Sequence, residues 1–384
     1  MQVLQTVLCA QTGVADALKP LSAIEPQLLL VFGSAMWLQA LAPQLAVQFG
    51  HAHRLGCTTA GEISSEGVGE DTCVVTAVRF DRVQVRAAST PLAGMEDSFA
   101  AGQRLAQALP LLGLRAVLLL GQGVNINGSA LIGGLTGALG PDVLVTGGLA
   151  GDGSAFKETW VLDDNGVYSD RVACVGLYGE DLRMAHGSFG GWLPFGPARK
   201  VTRCAGNVLY ELDGEPALDV YKRYLGEHAK DLPAAGLLFP FSMLGHDHTE
   251  AGLTRTILAV DEAQGSLTLA GDIDPAGYLR LMHASTDGLV DGAETAAQAA
   301  KLALQASGQG LALLISCVGR KLVMGGRVEE EVEAVADVLS RGAVLAGFYS
   351  YGEISPFSGD LSCKLHNQTM TITHLMEHTA ARPS

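Results

Sequence analysis

The sequence predicts an α/β protein of two packed domains, with mixed sheets built from related strand-helix-strand units. Short apolar runs alternate with segments of helical periodicity along most of the chain, which is the pattern of such units. A hydrophobic fraction of 48% beside a charged fraction of 17% indicates a well-buried globular protein. The chain also has 48 glycines, which predict many tight turns and close backbone approaches.

The strand-helix-strand pattern occurs in three degenerate copies, each followed by a glycine-containing loop. The predicted strand, helix and strand of each copy lie at 27–34, 35–49 and 54–63; at 116–123, 127–139 and 142–153; and at 311–320, 329–341 and 343–355. The spacing between copies varies too much for a solenoid. Pro43 should kink or split the first helix. The apolar runs on either side of Asp81 predict a hairpin that turns at this residue.

A different pattern separates the second copy from the third. Residues 199–226 indicate two strands joined by an Asn turn, then an Asp-Gly turn, then a helix with Pro216 in its first turn. We place the domain boundary in this region and expect the domains to be residues 1–205 and 206–384. No Ser/Pro-rich linker marks the boundary, so the two domains are expected to pack together.

Charge and cysteine usage exclude several classes of protein. The net charge is −15 and no basic stripe is present, so we expect neither nucleic acid nor an anionic membrane as a partner. No apolar run reaches the roughly 18–20 residues that span a bilayer, and the N-terminus lacks the features of a signal peptide. The seven cysteines are scattered without a C-x-x-C pair, which is typical of free thiols in the cytoplasm.

One motif occurs twice, as GCTTAGEIS at 56–64 and as GFYSYGEIS at 347–355. Glycines at the end of a strand let the backbone approach a ligand closely. Glu62 and Glu353 are therefore expected at the mouth of one cavity, where their carboxylates would bind an ammonium group or another hydrogen-bond donor. The alternative is that each carboxylate accepts hydrogen bonds from buried backbone amides of a repeated loop. General acid–base catalysis by the pair is disfavoured, because no serine elbow, Cys–His signature or phosphate loop accompanies it.

The segment SCVGR places Cys317 and Arg320 at the end of another predicted strand, where ligands bind in open α/β sheets. Arg320 is a candidate for binding a carboxylate or a haem propionate through two parallel hydrogen bonds. The alternative is an ion pair with one of the glutamates at 329–331. Cys317 is read more simply as a small buried apolar residue.

Ten histidines could ligate a metal, and His186 is the first choice. The segment MAHGSFGGW places it on a strand ahead of two glycines, with Phe189 and Trp192 nearby, which suits the edge of a haem. The pairs HAH at 51–53 and HDH at 246–248 lack an identifiable third ligand and are read as exposed loop residues.

Six segments in this order resemble one family. They are GCTTAGEISSEGV, GGLAGDG, GGWLPFGPARKVTRCAGNVLYELDGEPALDVYKRYLG, SCVGRKLVMGG, GFYSYGEISPF and LHNQTMTI. The chain resembles the FIST family, the F-box and intracellular signal transduction proteins, over nearly its whole length, with a FIST-N domain at 1–205 and a FIST-C domain at 206–384. The resemblance implies a ligand sensor rather than an enzyme. Such a sensor is expected to act on a separate histidine kinase or other signalling protein, and a homo-oligomer is left open.

The chain also resembles the NosP-type nitric-oxide sensors in its length and in lacking an output domain. That resemblance implies haem b, with His186 as axial ligand, and nitric-oxide sensing. Two alternatives stay open, a sensor of an amino acid or similar metabolite without haem, and an enzyme that uses Glu62 or Glu353. The expected ligand-binding residues are Gly61, Glu62, Cys317, Arg320, Tyr351, Gly352, Glu353, His366 and Asn367. In the family pattern, the last two lie in a loop of the FIST-C domain and either bind ligand or cap a turn.

Overall fold

The computed structural model describes residues 1–304, 310–339, 342–356 and 362–378. It contains three six-stranded sheets and one nine-stranded sheet. The sheets are mixed and helices cover them, which confirms the predicted α/β class. Residues 340–341, the end of the third predicted helix, lie outside the described residues.

The first unit comprises six strands and two helices. They are β1 Gln2–Leu8, α1 Val14–Leu18, β2 Leu28–Gly33, α2 Ala35–Gln48, β3 His53–Thr58, β4 Glu62–Ser64, β5 Gly67–Gly69 and β6 Cys73–Arg79. A 3-10 helix at Lys19–Ile24 follows α1. Helix α2 begins at the cap residue Ser34 and continues through Pro43, so the predicted split of this helix is wrong.

The second unit repeats this order. Its elements are β7 Gln84–Pro91, α3 Ser98–Ala108, β8 Leu114–Gly121, α4 Gly128–Leu139, β9 Leu144–Leu149, β10 Val161–Asp163, β11 Gly166–Tyr168 and β12 Arg171–Tyr178. A 3-10 helix at Met95–Asp97 precedes α3. Asn127 caps α4 by accepting the N–H of Ala130 (3.0 Å).

The third unit begins with β13, Leu182–Phe189, and is then interrupted by an insert, residues 193–283. The insert contains β14 Leu193–Pro194, β15 Arg199–Ala205, β16 Val208–Leu212, β17 Glu215–Pro216, α5 Ala217–Leu225, β18 Phe241–Leu244, β19 Glu250–Arg255, β20 Ile257–Asp261, β21 Ser266–Leu269 and β22 Tyr278–His283. Short 3-10 helices at Gly226–Asp231 and Ala234–Leu237 follow α5. The insert forms the nine-stranded sheet and has its own apolar core around Leu209 and Tyr221.

The third unit resumes after the insert. Its remaining elements are α6 Thr286–Leu304, β23 Gly310–Cys317, α7 Val318–Met324, α8 Glu329–Leu339, β24 Ala343–Ser350, β25 Gly352–Pro356, β26 Cys363–His366 and β27 Met370–Glu377, with a 3-10 helix at Gly325–Arg327. Strand β13 pairs with β27, so one sheet holds strands from both sides of the insert. The boundary between residues 205 and 206 stays a prediction.

Each unit gives its last hairpin to the sheet of another unit. Hairpin β4–β5 of the first unit pairs with β24 of the third, β10–β11 of the second with β3 of the first, and β25–β26 of the third with β9 of the second. The exchange is cyclic, so every six-stranded sheet combines four strands of one unit with two of another. We call the three units with their exchanged hairpins the body.

A glycine lies opposite each exchanged hairpin. Gly56, Gly147 and Gly347 face Leu162, Ile354 and Ile63. A Cβ atom at these glycines would lie 2.2, 1.8 and 1.7 Å from a carbonyl oxygen of the adjacent parallel strand. The same backbone approach therefore recurs in all three units, and only glycine accommodates it.

The hairpin predicted around Asp81 is wrong, because β6 and β7 belong to different sheets. The connection between them is fixed by Glu377, at the end of β27. Its carboxylate accepts the backbone N–H groups of Asp81 (2.7 Å), Arg82 (2.8 Å) and Val83 (2.8 Å). The residues that redirect the chain here are distant in sequence, so local periodicity did not reveal them.

One core lies between the three six-stranded sheets. It includes side chains from all three units, such as Phe32, Leu120 and Phe348, and the rings of Phe32 and Phe348 are 4.8 Å apart. The opposite faces of the sheets pack on α1 and α2, on α3 and α4, and on α6 and α8. Within the described residues, no helix combines the length and apolar character needed to cross a bilayer.

Candidate functional site

The two repeated glutamates occupy equivalent positions in exchanged hairpins. Glu62 on β4 pairs with Phe348, and Glu353 on β25 pairs with Gly148; each partner directly follows one of the three equivalent glycines. In the second unit the same position is Val161, opposite Cys57. The motif thus follows from the repeated architecture, and the second unit has no carboxylate at this position.

Both carboxylates are bound in the same way. Glu62 accepts the hydroxyl of Thr59 on one oxygen, and the N–H (3.3 Å) and hydroxyl (2.7 Å) of Thr72 on the other. Glu353 accepts the hydroxyl of Ser350 (3.0 Å), and the N–H (3.1 Å) and hydroxyl (2.9 Å) of Thr369. In each case the donors are a residue three positions before the glutamate and a threonine that follows the hairpin. This geometry matches the alternative interpretation, in which each carboxylate accepts hydrogen bonds from its own loop.

The surroundings of the two glutamates differ. Glu62 lines a polar cavity of about 580 Å³ at the ends of β3 and β4, together with Gly61, Asp152 and Lys321. The ammonium of Lys321 donates to the carbonyl of Ala60 (2.7 Å) and pairs with Glu70 (2.6 Å). Glu353 is fully buried and is absent from the lining of this polar cavity. The expectation that both glutamates face one cavity is therefore wrong.

Arg320 lies in the interior, away from these cavities. Its guanidinium donates to Glu331 from Nε (3.1 Å) and Nη2 (2.7 Å), and to the carbonyls of Leu289 (2.8 Å) and Gly190. This geometry matches the alternative interpretation, an ion pair between Arg320 and a glutamate at 329–331. These contacts occupy the guanidinium and leave no side of it free for a ligand. Cys317 is buried at the end of β23, and burial raises the pKa of its thiol.

The other expected ligand-binding residues are dispersed. Tyr351 stacks on Phe156 with ring centroids 4.2 Å apart and donates its hydroxyl to Asp152. At Gly352 a Cβ would lie 3.0 Å from Leu365. His366 is buried, its Nε2 donates to the carbonyl of Ser355 (3.0 Å), and burial lowers its pKa to about 4.

Asn367 is buried in the turn before β27. Of the expected set, Gly61 and Glu62 line the polar cavity, whereas Tyr351 lines a separate, apolar one.

The surroundings of His186 do not fit a haem. This residue lies within β13, opposite Thr373. Helix α6 fills the space beside the glycines that were expected to leave room for a planar ring. A Cβ at Gly187 would lie 2.0 Å from the carbonyl oxygen of Ala296, and a Cβ at Gly191 would lie 1.9 Å from the carbonyl oxygen of Gly288. His186 is also absent from the lining of the polar cavity at Glu62.

A crevice that the sequence did not predict separates the body from the insert. Its largest part, the apolar section, has a volume of about 850 Å³. The body contributes Met95, Ile126, Phe156 and Tyr351, and the insert contributes mainly the segment DLPAAGLLFP with Ile257 and Leu258. The signal for this crevice in the sequence is the same segment, because its apolar residues follow neither the period of a strand nor that of a helix.

The crevice continues from the apolar section through a neck. The neck shares Met95, Leu258 and Tyr351 with the apolar section. It shares Asp272 and Leu365 with a further cavity of about 790 Å³, which we call the arginine section because Arg255 lies in its wall.

Comparison with known proteins gives the family. The FIST N domain matches residues 27–215, and the FIST C domain matches residues 217–356. The chain belongs to the FIST family. FIST domains are sensory domains of signal transduction, and the predicted membership of this family is confirmed.

Relatives and solved structures add little about the ligand of this FIST protein. Uncharacterised proteins of Mycobacterium bovis and Mycobacterium tuberculosis are 26% identical over 227 residues, which cover 57% of this chain and 57% of each relative. The crystal structure of cyanuric acid hydrolase from A. caulinodans aligns with 98% of this chain and 99% of its own, at 9% identity and a TM-score of 0.35. A likeness this low carries no conclusion about chemistry.

Glu353 gives the FIST protein a testable pH dependence. Burial raises the pKa of Glu353 to about 8, against the hydrogen bonds from Thr369 and Ser350, which favour the charged form. The folded protein then holds a proton that the unfolded chain releases near pH 4.5, so this stabilisation is complete below pH 4.5 and is lost as the pH rises to about 8. We expect the loss to be of the order of 5 kcal/mol, because the pKa values of the folded and unfolded states differ by about 3.5 units and one unit corresponds to about 1.4 kcal/mol.

Urea unfolding between pH 5 and 8 measures this effect. Glu353→Gln should unfold with a smaller pH dependence than the wild type and should gain stability relative to it as the pH rises. Glu62→Gln is the matched variant, because Glu62 has the same bonding pattern but faces a cavity. Burial raises the pKa of Glu62 as well, against the hydrogen bonds from Thr59 and Thr72 and the charge of Lys321. An unchanged pH profile in Glu353→Gln would show that the carboxylate is ionised in the folded protein.

Proposed function

We propose that this FIST protein is a sensor that binds a small organic molecule in the apolar section of the crevice and signals to a separate protein, a histidine kinase or another signalling protein. The observation that carries the proposal is the position of this cavity between two parts of the chain with separate cores. A ligand that contacts both parts favours the arrangement in which they fit around it. Binding can thereby change the surface offered to a partner.

The size and walls of the apolar section suit a small organic ligand. Cavities of about 300–1,000 Å³ with mainly apolar walls and a few polar groups are typical of such sites. Here the polar residues are Asn125, Ser154, His228, Asp231 and Tyr351, and the rest of the lining is mainly apolar. The ligand class expected from this lining is an apolar or amphipathic molecule with one or two hydrogen-bonding groups.

The enzyme alternative has less support in the geometry. Glu353 is fully buried, and Glu62 has its hydrogen-bond acceptors directed to Thr59 and Thr72. A general acid or base must reach the proton that it transfers. The polar cavity at Glu62 could hold a polar ligand, but the described residues that line it include no histidine or cysteine.

Haem b with nitric-oxide sensing is the second candidate, and its favourable observation is His228. This histidine lines the apolar section and packs on Phe239, with ring centroids 5.4 Å apart. An apolar wall with one histidine is what a non-covalent haem requires, and its iron would bind nitric oxide. Within the described residues no cluster of three or more metal-ligating His, Cys, Asp or Glu side chains occurs, so another kind of metal site has less support.

A binding screen tests both candidates in one experiment. Purified full-length protein is mixed with apolar and amphipathic metabolites, and with haemin, and thermal unfolding is followed. Leu258→Trp narrows the apolar section and should weaken binding of a ligand at least about tenfold, or about 1.4 kcal/mol. Ala259→Trp is the matched control, because the next residue of β20 is exposed and does not line the cavity.

The outcomes separate the candidates. A stoichiometric Soret band that His228→Ala abolishes and His186→Ala leaves unchanged would support haem. Binding of a colourless ligand that depends on Leu258 would support the metabolite sensor. Ligands that bind Leu258→Trp and wild type equally would place their site outside the apolar section and overturn the proposal.

A further inference from the structure

Arg255 is a buried cation whose charge has no bound carboxylate. It ends β19 and is only 4% exposed. Its guanidinium donates to three backbone carbonyls, those of Asp272 (3.1 Å), Thr254 (3.1 Å) and Leu365 (3.2 Å). Among the described residues, no acceptor forms a hydrogen bond with its Nη2, and no carboxylate forms an ion pair with the guanidinium.

The comparison with Arg320 shows why this is unusual. Both guanidinium groups are buried and both donate to carbonyls, but Arg320 is neutralised by Glu331 (2.7 Å). An unpaired charge removed from water costs several kcal/mol, so buried arginines usually have an anionic partner. At Arg255 that partner is missing from the described side chains, although the group lies in the wall of a cavity that can admit one.

The arginine section has the space and the donors for an anion. Its volume is about 790 Å³, and Ser129, Thr136 and the exposed Lys364 also line it. A Cβ at Gly137 or Gly140 would meet nothing within 4 Å, so this side of the cavity is open.

Two carboxylates, Asp272 and Asp274, line the same section. Both are exposed, and Asp274 accepts the N–H of Ala276 (2.9 Å). Water and salt screen exposed charges far more than buried ones, so Arg255 dominates the interaction inside the cavity. The two acids disfavour ligands with several anionic groups and leave a single oxyanion group as the best match.

We propose that the arginine section binds one oxyanion group of a small molecule, a carboxylate or a phosphate, through Arg255. The planar guanidinium suits such groups because it can donate two parallel N–H bonds. This site goes beyond the proposed function, since it does not require the apolar section to be occupied. Arg255 also donates to the carbonyl of Leu365, on the exchanged hairpin β25–β26 of the body. An anion bound to Arg255 would therefore contact a residue of the insert that is itself bonded to the body.

The test uses sodium phosphate and sodium acetate as probes, with sodium chloride at matched ionic strength. Thermal unfolding and isothermal titration are measured for full-length wild type, Arg255→Met and Arg203→Met. Arg203 is the matched control, because it belongs to the same insert but is exposed and pairs with Glu211 (2.9 Å). We expect saturable binding of at least one probe in wild type and Arg203→Met, and at least a tenfold loss of affinity in Arg255→Met.

The outcomes are distinct from those of the ligand screen. Binding of acetate alone assigns a carboxylate, and binding of phosphate alone assigns a phosphate. Leu258→Trp should bind the probe like wild type, so the two proposals fail independently. Equal responses to chloride and to both probes, or equal affinity in wild type and Arg255→Met, would overturn the site. If Arg255→Met does not fold, Arg255→Lys, which retains the charge without the planar fork, should still show weakened binding.

Discussion

Replacing Glu331 with glutamine is expected to lower the free energy of unfolding by about 3 to 5 kcal/mol, because it leaves a buried guanidinium without its counter-charge. Glu331 is fully buried. One carboxylate oxygen accepts the hydroxyls of Ser316 (3.0 Å) and Tyr349 (2.7 Å), and the other accepts two N–H groups of Arg320. Glutamine keeps the size of the side chain but removes the charge and replaces one acceptor with a donor.

The neighbouring residue of the same helix provides the control. Glu330 pairs with Arg327 at 2.6 Å, but both side chains are exposed. Exposed pairs contribute little to stability because water and salt screen them, so Glu330→Gln should have a small effect. Urea unfolding followed by circular dichroism gives both values. Equal effects of the two substitutions would show that the buried pair is not the stronger interaction.

A double variant separates the energy of the pair from the cost of breaking it. Arg320→Met combined with Glu331→Met removes both charges together, and such replacements are often neutral or stabilising. We therefore expect the double variant to be more stable than Glu331→Gln. Together with the single variants Arg320→Met and Glu331→Met, the double variant completes a double-mutant cycle, which gives the coupling energy between the two side chains.

The sequence predicted the repeated units because their strands are continuous apolar runs and their helices follow a different period. It did not predict which strands pair, because each hairpin joins another unit and no local pattern records that exchange. The wrong hairpin at Asp81 has this cause. The carboxylate that fixes the connection, Glu377, comes almost three hundred residues later.

The candidate site shows the same limit. The repeated Gly-Glu-Ile-Ser motif correctly indicated equivalent positions, but two equivalent positions in a cyclic arrangement do not have to share a cavity. The ion pair of Arg320 was among the alternatives because the glutamates at 329–331 were close in sequence. The crevice was not predicted, since it forms between the insert and the body and depends on their packing rather than on any periodic pattern.

The second large effect is expected at Gly347, where alanine should destabilise the protein by about 3 kcal/mol or more, at or above the upper end of the usual range for overpacking. The added Cβ would lie 1.7 Å from the carbonyl oxygen of Leu314. Strand β24 is held on one side by β23 and on the other by the exchanged hairpin β4–β5. The strand therefore cannot move away from Leu314 without loosening the contact between two units.

Two further glycines and a helical control make this prediction specific. Gly56→Ala should behave like Gly347→Ala, because the Cβ would lie 2.2 Å from the carbonyl oxygen of Val31. Gly147→Ala should cost more, because its φ of +147° adds backbone strain to a contact of 1.8 Å with Leu119. Gly137→Ala, in helix α4 with nothing within 4 Å, should instead stabilise the protein by up to about 1 kcal/mol.

Urea unfolding of the four variants decides whether the three units share one structural requirement. Substitutions at Gly56, Gly147 and Gly347 lie in three different sheets but at the same position opposite an exchanged hairpin. If the exchange holds the body together, each of the three should weaken the whole body in one cooperative transition, because every sheet contains strands of two units. A separate early transition in one variant would mean that the units unfold independently, and that the exchanged hairpins do not couple them.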